Sequence, residues 1–342
     1  MATQKKIWVF IPLLITLLFG CGPKDNNGES NRVVVYTSWD QPHSRPILQK
    51  FEEQTGIKVD AVYDAEASKT AGLVNRLIAE KNNPRADVFW NSEIVRTLVL
   101  KEKEVLAPYK PPAWEETPSS FRDPEGYWTG FAGRARVLIY NTDLITNPPT
   151  ELKALTESEW KGRATIANPL FGTTSTEVAT WFSLWGSEKA EGFLMALKNN
   201  DVIISTGNAT AKDAVASGEV PIGLTDTDDA WGAMQNNKPV DMVFLDQAGE
   251  GALLIPNTVC LIKGAPNETN AKKLIDFLTS REVSEMLANS RAGQIPLKKD
   301  IPAPSHVEAW ASKKFKQVDF EAAYKELDPA MQFVRDEFLE AR

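Results

Sequence analysis

The chain reads as an α/β protein built in two lobes. Three observations predict this. Apolar β-branched runs alternate with stretches whose apolar residues recur every three or four positions. Its 342 residues exceed what one hydrophobic core usually organises, and the strand-helix alternation resumes beyond a Pro-rich connector, APYKPPAWEETP (107–118). A hydrophobic fraction of 42% with 25% charged residues places the chain among globular proteins, so every periodic run can be read as a candidate core element.

The first segment is a leader. Residues 1–20 carry MATQKK and then thirteen uncharged, mostly apolar residues. That is too short to cross a membrane, which needs about twenty, and it reads as an export signal. Leu18, Phe19, Gly20 and Cys21 resemble a bacterial lipobox. The resemblance implies lipidation of Cys21 and a diacyl anchor that holds the protein to a membrane without spanning it. Residues 21–32, with the polar run GPKDNNGESN, then form a flexible tether.

In lobe one, VVVYTS (33–38) predicts a buried strand and is followed by the loop WDQPHSRP. Ile47, Leu48 and Phe51 mark one face of a helix that Gly56 stops, and IKVDAVY (57–63) is the second strand. A helix carrying Leu73, Val74, Leu77 and Ile78 leads to the third strand, ADVFW (86–90), and to a helix that runs through Leu98. Strands alternating with helices predict a mostly parallel sheet, whose ligands lie beyond the C-terminal strand ends. Those ends carry Trp39 and Asp40, Asp64 and Glu66, and Trp90, Asn91 and Ser92. Asp64, Asn91 and Ser92 would serve equally as helix caps.

Beyond the connector, ARVLIY (135–140) predicts a long strand with Arg134 and Arg136 around its start. ELKALTESEWKGR reads as a helix and ATIAN as a strand; Gly172, Thr173, Thr174 and Ser175 then open an amphipathic helix. Free N–H groups at such a turn suit a carboxylate or phosphate, or the turn caps only its own helix. After a helix, a short strand and another helix comes LTDTDDAWG (224–232), which ends a strand and starts a helix. It sets Asp226, Asp228 and Asp229 beside Trp231. MVFLD (242–246) and LLIPNTVCLIK form a return crossing; AKKLIDFLTSREVSEMLA (271–288) is amphipathic and helical, and FKQVDFEAAYKELDPAMQFVRDEFLEAR (315–342) gives C-terminal helices. The expected boundaries are 33–131 plus 246–342 for lobe one and 132–245 for lobe two.

Charge and side-chain counts exclude several functions. The net charge of −8, with no Lys/Arg run, argues against nucleic acid as a partner. The two cysteines, Cys21 in the leader and Cys260 in an apolar run, exclude a Cys-based metal site and argue against a disulfide. Only His43 and His306 are available to a catalytic triad. An exported carboxylate-dependent hydrolase is a remote alternative, since adjacent aspartates on one helix start do not set two carboxyls across a substrate.

VVVYTSWD, ILQKFEEQTGIKV, ADVFWN, FRDPEGYWTGFAGRARVLIYN, EWKGRATIANP and NETNAKKLIDFLTSREVSEMLA occur in an order that resembles the extracellular solute-binding proteins of ABC importers. Within these the chain resembles the ferric-iron-binding group, over nearly the whole mature length. The resemblance implies a periplasmic-binding-protein-like (type II) fold with crossing hinge strands, a cleft that closes on a solute, and delivery to ABC permease subunits. It further implies no enzymatic activity, a monomer, and a lipid-anchored location on the periplasmic or extracellular face of a bacterial membrane. Ferric members place two adjacent tyrosines nearest Asp228 and Asp229, and neither tyrosine is present here. A transported Fe3+ would then be held by carboxylates of Asp40, Glu66, Asp228 and Asp229, hard oxygen donors for a hard ion; no other cofactor is expected. An organic solute such as a phosphonate, sugar phosphate or polyamine is the alternative. Arg134 or Arg136 with Gly172, Thr173 and Thr174 would clamp its anionic group, and Asp226 or Asp228 with Trp39, Trp90 or Trp231 would hold an amine. With Glu66, Asn91, Ser92 and Asp229 these residues complete the expected ligand-binding set.

Overall fold

The computed structural model describes residues 31–65 and 69–340. The leader, Cys21, Glu66 and almost all of the tether lie outside the described residues. Among the described residues no helix is long and apolar enough to cross a membrane.

Lobe one begins with β1 (Arg32–Thr37), α1 (Gln41–Thr55), β2 (Lys58–Tyr63), α2 (Ala71–Ala79), β3 (Val88–Asn91) and α3 (Val95–Glu102). Strand β1 pairs in parallel with both β2 and β3. Val33 and Val35 face one apolar cluster while Tyr36 faces another, so the sheet is covered on both sides, as its unbroken apolar sequence requires. Helix α1 buries Ser44, Ile47, Leu48 and Phe51, one stripe at helical spacing. Gly56 ends the helix with φ 71°, a left-handed turn in which its N–H reaches Glu52 O at 2.8 Å.

After β4 (Leu106–Ala107) the thirteen-residue strand β5 (Thr129–Asn141) passes from one lobe to the other. Its first half belongs to the lobe-one sheet. Its second half pairs with β8 (Ile222–Asp226) and β9 (Val240–Val243), and β8 continues to β6 (Ala164–Ala167) and β7 (Ile203–Ser205). Strand β10 (Leu254–Ile262) returns antiparallel to β5 and β3, with a register shift between Asn257 and Thr258. The short β11 (Ile295–Pro296) pairs with β5 at Gly133 and Ala132. This is the expected two-lobed α/β fold with crossing strands. Around the second sheet pack α4 (Gly172–Trp185), α5 (Ser187–Asn199), α6 (Asn208–Ala216) and α7 (Thr227–Gln235).

Three expected elements differ. ELKALTESEWKGR forms two 3₁₀ turns, Leu152–Thr156 and Ser158–Trp160, separated by an extended Glu157. Thr156 Oγ1 donates to Lys153 O at 2.7 Å, competing with the backbone ladder, and short turns suffice to bury Leu152, Leu155 and Trp160. The run 271–288 divides into α8 (Glu268–Leu278) and α9 (Arg281–Ala288), because Ser280 Oγ caps the second by accepting from Val283 N. Beyond α10 (Ser305–Ala311), helices α11 (Phe320–Lys325) and α12 (Leu327–Phe333) were expected with lobe one. They rest on α4 of the second lobe, and α11 also on α3 of the first; Phe320, Met331 and Phe338 share one apolar cluster with Leu98 and Phe182.

Candidate functional site

The expected strand ARVLIY starts earlier, at Thr129, so Arg134 and Arg136 lie in mid-strand, buried on one face of β5 by their i, i+2 spacing. Arg136 is the cross-strand neighbour of Asp226. Its Nη1 donates to Asp226 Oδ1 at 2.8 Å and its Nε to Glu177 Oε2 at 2.8 Å. Thr173 Oγ1 and Asn208 Nδ2 donate to the other oxygen of Asp226, at 2.7 and 2.9 Å, and Thr174 Oγ1 lies 3.4 Å from Arg136 Nη2. Burial works against an ionised Asp226, but Arg136 and Arg134 outweigh it and hold its pKa below the usual aspartate value. Arg136, Asp226, Thr173 and Thr174 therefore bond to one another, and this knot fixes β5, β8 and the first turns of α4 and α6.

Asp228 and Asp229 sit in the first turn of α7, where the strand-to-helix junction read from LTDTDDAWG is found. Asp228 Oδ2 accepts from Arg134 Nη1 at 2.9 Å and from Gln294 Nε2 at 3.2 Å, while its Oδ1 accepts from Asp229 N at 3.2 Å. Burial raises the pKa of Asp228, and Arg134 offsets only part of that. Among the described residues no cation lies at bonding distance of Asp229; burial and the charges of Asp228 and Asp226 push its pKa well above the usual value. Asp226, Asp228 and Asp229 each bring an oxygen within 4.8 Å of the others. Asp40 of the expected metal set is not in this group. Its Oδ1 accepts from Lys69 Nζ at 2.8 Å, and that cation holds its pKa down against the effect of burial.

On the lobe-one side Asn91 and Ser92 join a buried network, with Ser38 Oγ donating to Asn91 Oδ1 at 2.7 Å and accepting from Ser92 N at 2.9 Å. Neither caps α3, whose N-cap is Ile94. Trp39 and Trp90 lie 5.1 Å apart in the core, with His43 against Trp39 at 5.8 Å. Trp231 stacks on His306 at 4.1 Å and meets Trp310 edge-on, so its indole packs against α10 and not along the cleft. Gly172 has φ 57°, and its N–H donates across the lobes to Lys69 O at 3.2 Å.

Between the lobes lies a cavity of about 650 Å³. His43 and Arg291 enter it from lobe one, Asp228, Asp229 and Lys212 from lobe two. Neither Lys212 nor Arg291 stood out in the sequence; both are solitary basic residues in polar helices or turns, and only folding brings them into one lining with the aspartates. The lobes also touch directly. Arg96 Nη2 donates to Leu170 O at 2.7 Å, Thr176 Oγ1 to Glu93 Oε2 at 2.6 Å, and Arg291 Nη2 to Asn236 Oδ1 at 3.1 Å.

Two α/β lobes joined by crossing strands, with buried charge facing an interlobe cavity, define a solute-binding protein of the type that closes around its ligand. The chain belongs to the family of bacterial extracellular solute-binding proteins, whose model matches residues 47–317. Members work with ABC permeases and are not enzymes. Iron uptake protein A1 of Synechocystis sp. is 28% identical, over 94% of this chain and 92% of that protein. A putative 2-aminoethylphosphonate-binding periplasmic protein of Salmonella typhimurium is 29% identical, over 76% and 75%. Among solved structures, the periplasmic binding protein AfuA of Actinobacillus pleuropneumoniae, with exogenous fructose-6-phosphate bound, superposes with a TM-score of 0.81 at 25% identity, covering 91% of this chain and 99% of that one. The kinship expected from the sequence, with the ferric-binding group and its organic-solute relatives, holds at the level of the family.

Proposed function

We propose that this protein is the solute-capturing component of an ABC importer and that its solute is a small organic anion bearing hydroxyl or amine groups, in the class of a sugar phosphate or an aminoalkylphosphonate. One observation carries this reading: the interlobe cavity of about 650 Å³ is lined by two cations, Lys212 and Arg291, together with Asp228 and Asp229. A phosphate or phosphonate group calls for cationic donors, and hydroxyls or an ammonium call for carboxylate acceptors. The volume suits a ligand of that size. Relatives named for aminoethylphosphonate and for bound fructose-6-phosphate support the same class.

Iron(III) is a second reading, favoured by the three carboxylate oxygens within 4.8 Å and by the iron uptake relative. It is weakened by Arg134 and Arg136, which already neutralise Asp228 and Asp226 and would repel a trivalent cation. Thermal unfolding of the purified protein with glucose 6-phosphate, 2-aminoethylphosphonate or ferric citrate separates the two. Stabilisation by one of the first two is expected, about 2.7 kcal/mol at a hundredfold excess over Kd. Stabilisation by ferric citrate alone would replace the organic reading with iron, and consumption of an organic solute at enzyme-like rates would sink transport altogether. Lipidation at Cys21, which the lipobox-like sequence supports, would tether a monomeric binder beside its permease.

A further inference from the structure

We infer that Gln294 and Asn257 are positioning residues, forming a buried amide relay that clasps the two lobes together through the carboxylate of Asp228. Gln294 directly precedes β11, which pairs with β5 in the lobe-one sheet; Asn257 lies on β10 at its register shift, opposite Ala132. The extra residue of that shift is Phe131, on β5, so β10 passes Asn257 without a bulge of its own. Asn257 Nδ2 donates to Gln294 Oε1 at 2.7 Å, and Gln294 Nε2 donates to Asp228 Oδ2 at 3.2 Å. Exposure is 0% for Asn257 and 1% for Gln294, so neither amide can exchange its partner for bulk water.

The order of donors along the relay follows from its end. An ionised carboxylate only accepts, so Gln294 must present its NH₂ group to Asp228 and its carbonyl to Asn257, and Asn257 must then donate. Arg134 reaches the same oxygen at 2.9 Å and ties its other Nη to Ser92 O at 2.9 Å, in lobe one. Both donors to Asp228 Oδ2 thus stand on the lobe-one sheet or the crossing strand, while Asp228 rides on α7 of lobe two. Rotation of the lobes about β5 and β10 carries α7 away from β11 and parts Asp228 from Gln294. The relay is therefore a contact of the closed form, and every donor and acceptor in it belongs to the chain itself. The inference goes beyond the solute reading and does not depend on which solute is bound.

Small-angle X-ray scattering of the solute-free protein tests it. Gln294→Glu sets a second carboxylate against Asp228; the cleft is expected to open and the radius of gyration to rise above the wild-type value. Adding Asp228→Asn restores a donor facing an acceptor, with Asn257 and Arg134 both able to donate to Glu at 294, and is expected to bring the radius back. Equal radii for wild type and Gln294→Glu would overturn the clasp, as would a double variant as open as the single one. If Gln294→Glu does not fold, as judged by circular dichroism, Gln294→Met takes its place: it keeps the volume, cannot donate, and is expected to open the cleft, so a closed Gln294→Met also overturns the inference. No solute enters the measurement, so failure here leaves the solute assignment standing, and failure of solute capture leaves the clasp standing.

Discussion

Two cavities of nearly equal volume, about 650 and about 640 Å³, lie in different parts of the molecule and differ in almost everything else. The first is the interlobe cleft. The second is walled by Trp185 and Phe193 of lobe two and by the crossing loop at Asp246–Glu250. Helix α4 touches the cleft side with Thr173 and ends at Trp185, about 18 Å further along its axis at 1.5 Å per residue. In the second cavity the aromatic walls satisfy each other: Trp181 and Trp185 stack 5.7 Å apart and Phe193 meets Trp185 edge-on. Its lysines are exposed and engaged, Lys153 with Glu151 at 2.9 Å and Lys189 over the Trp185 ring. At the cleft Asp226 and Asp228 are buried and Asp229 half-buried beside two guanidinium groups, and Asp228 and Asp229 have raised pKa values. Volume does not distinguish these two places. Charge held where it is disfavoured does, because perturbed carboxylates in a cleft cluster at functional sites.

The largest expected effect is at Asp228. Asp228→Ala leaves Arg134 buried without its closest anion, which destabilises by about 3–5 kcal/mol in comparable pairs, and it abolishes solute-dependent stabilisation in thermal unfolding. Unchanged solute-dependent stabilisation in that variant would remove the distinction between the two cavities. A smaller effect is expected from Lys212→Ala or Arg291→Ala. Each should weaken binding of a phosphate-bearing solute by about 1.5–3 kcal/mol, roughly ten- to a hundredfold in Kd by titration calorimetry, while the solute-free stability moves by less than about 0.5 kcal/mol. Trp185→Ala, in the other cavity, should leave that Kd unchanged.

How much of this was legible in the sequence depends on the range of the interaction. The β8–α7 junction, the strand alternation of lobe one and the buried stripe of α1 are local patterns, and they were readable because propensity, capping chemistry and periodicity agree within a few residues. The helix expected over ELKALTESEWKGR failed because a threonine hydroxyl and tertiary burial favoured short turns. The site was half legible. Arg134, Arg136 and the aspartates stand out as charges inside apolar runs, and Glu177 could have been found by the same signal, a lone carboxylate in an otherwise uncharged helix. Gln294, Asn257, Lys212 and Arg291 carry no local mark. Gln294 pairs with Asn257 and Asp228, 37 and 66 residues away in the chain, and Arg291 with Asn236, 55 residues away, while Lys212 and Arg291 meet Asp228 and Asp229 only in the lining of the folded cavity.

Asp229 gives the smallest and most specific expected effect. Burial comes first among the causes that raise its pKa, and the charges of Asp228 and Asp226 add to it. An aspartate in the unfolded chain ionises near pH 3.9. Between that pH and the higher pKa of the folded state, the folded protein binds more protons at this position than the unfolded one, so stability falls as pH rises through the window. Asp229→Asn removes the ionisable group while keeping an oxygen within reach of Thr225 Oγ1, which donates to Asp229 Oδ2 at 3.3 Å. In the solute-free protein the variant should melt higher than wild type at neutral pH, by about 2–4 °C for each kcal/mol relieved, with the gain shrinking as the pH approaches 4. Glu250→Gln, at the rim of the other cavity, should shift stability by less than about 0.5 kcal/mol. A wild-type melting temperature at neutral pH equal to that of Asp229→Asn would mean that the carboxyl at 229 ionises freely, and the cleft would then hold no more disfavoured charge there than the exposed rim of its counterpart.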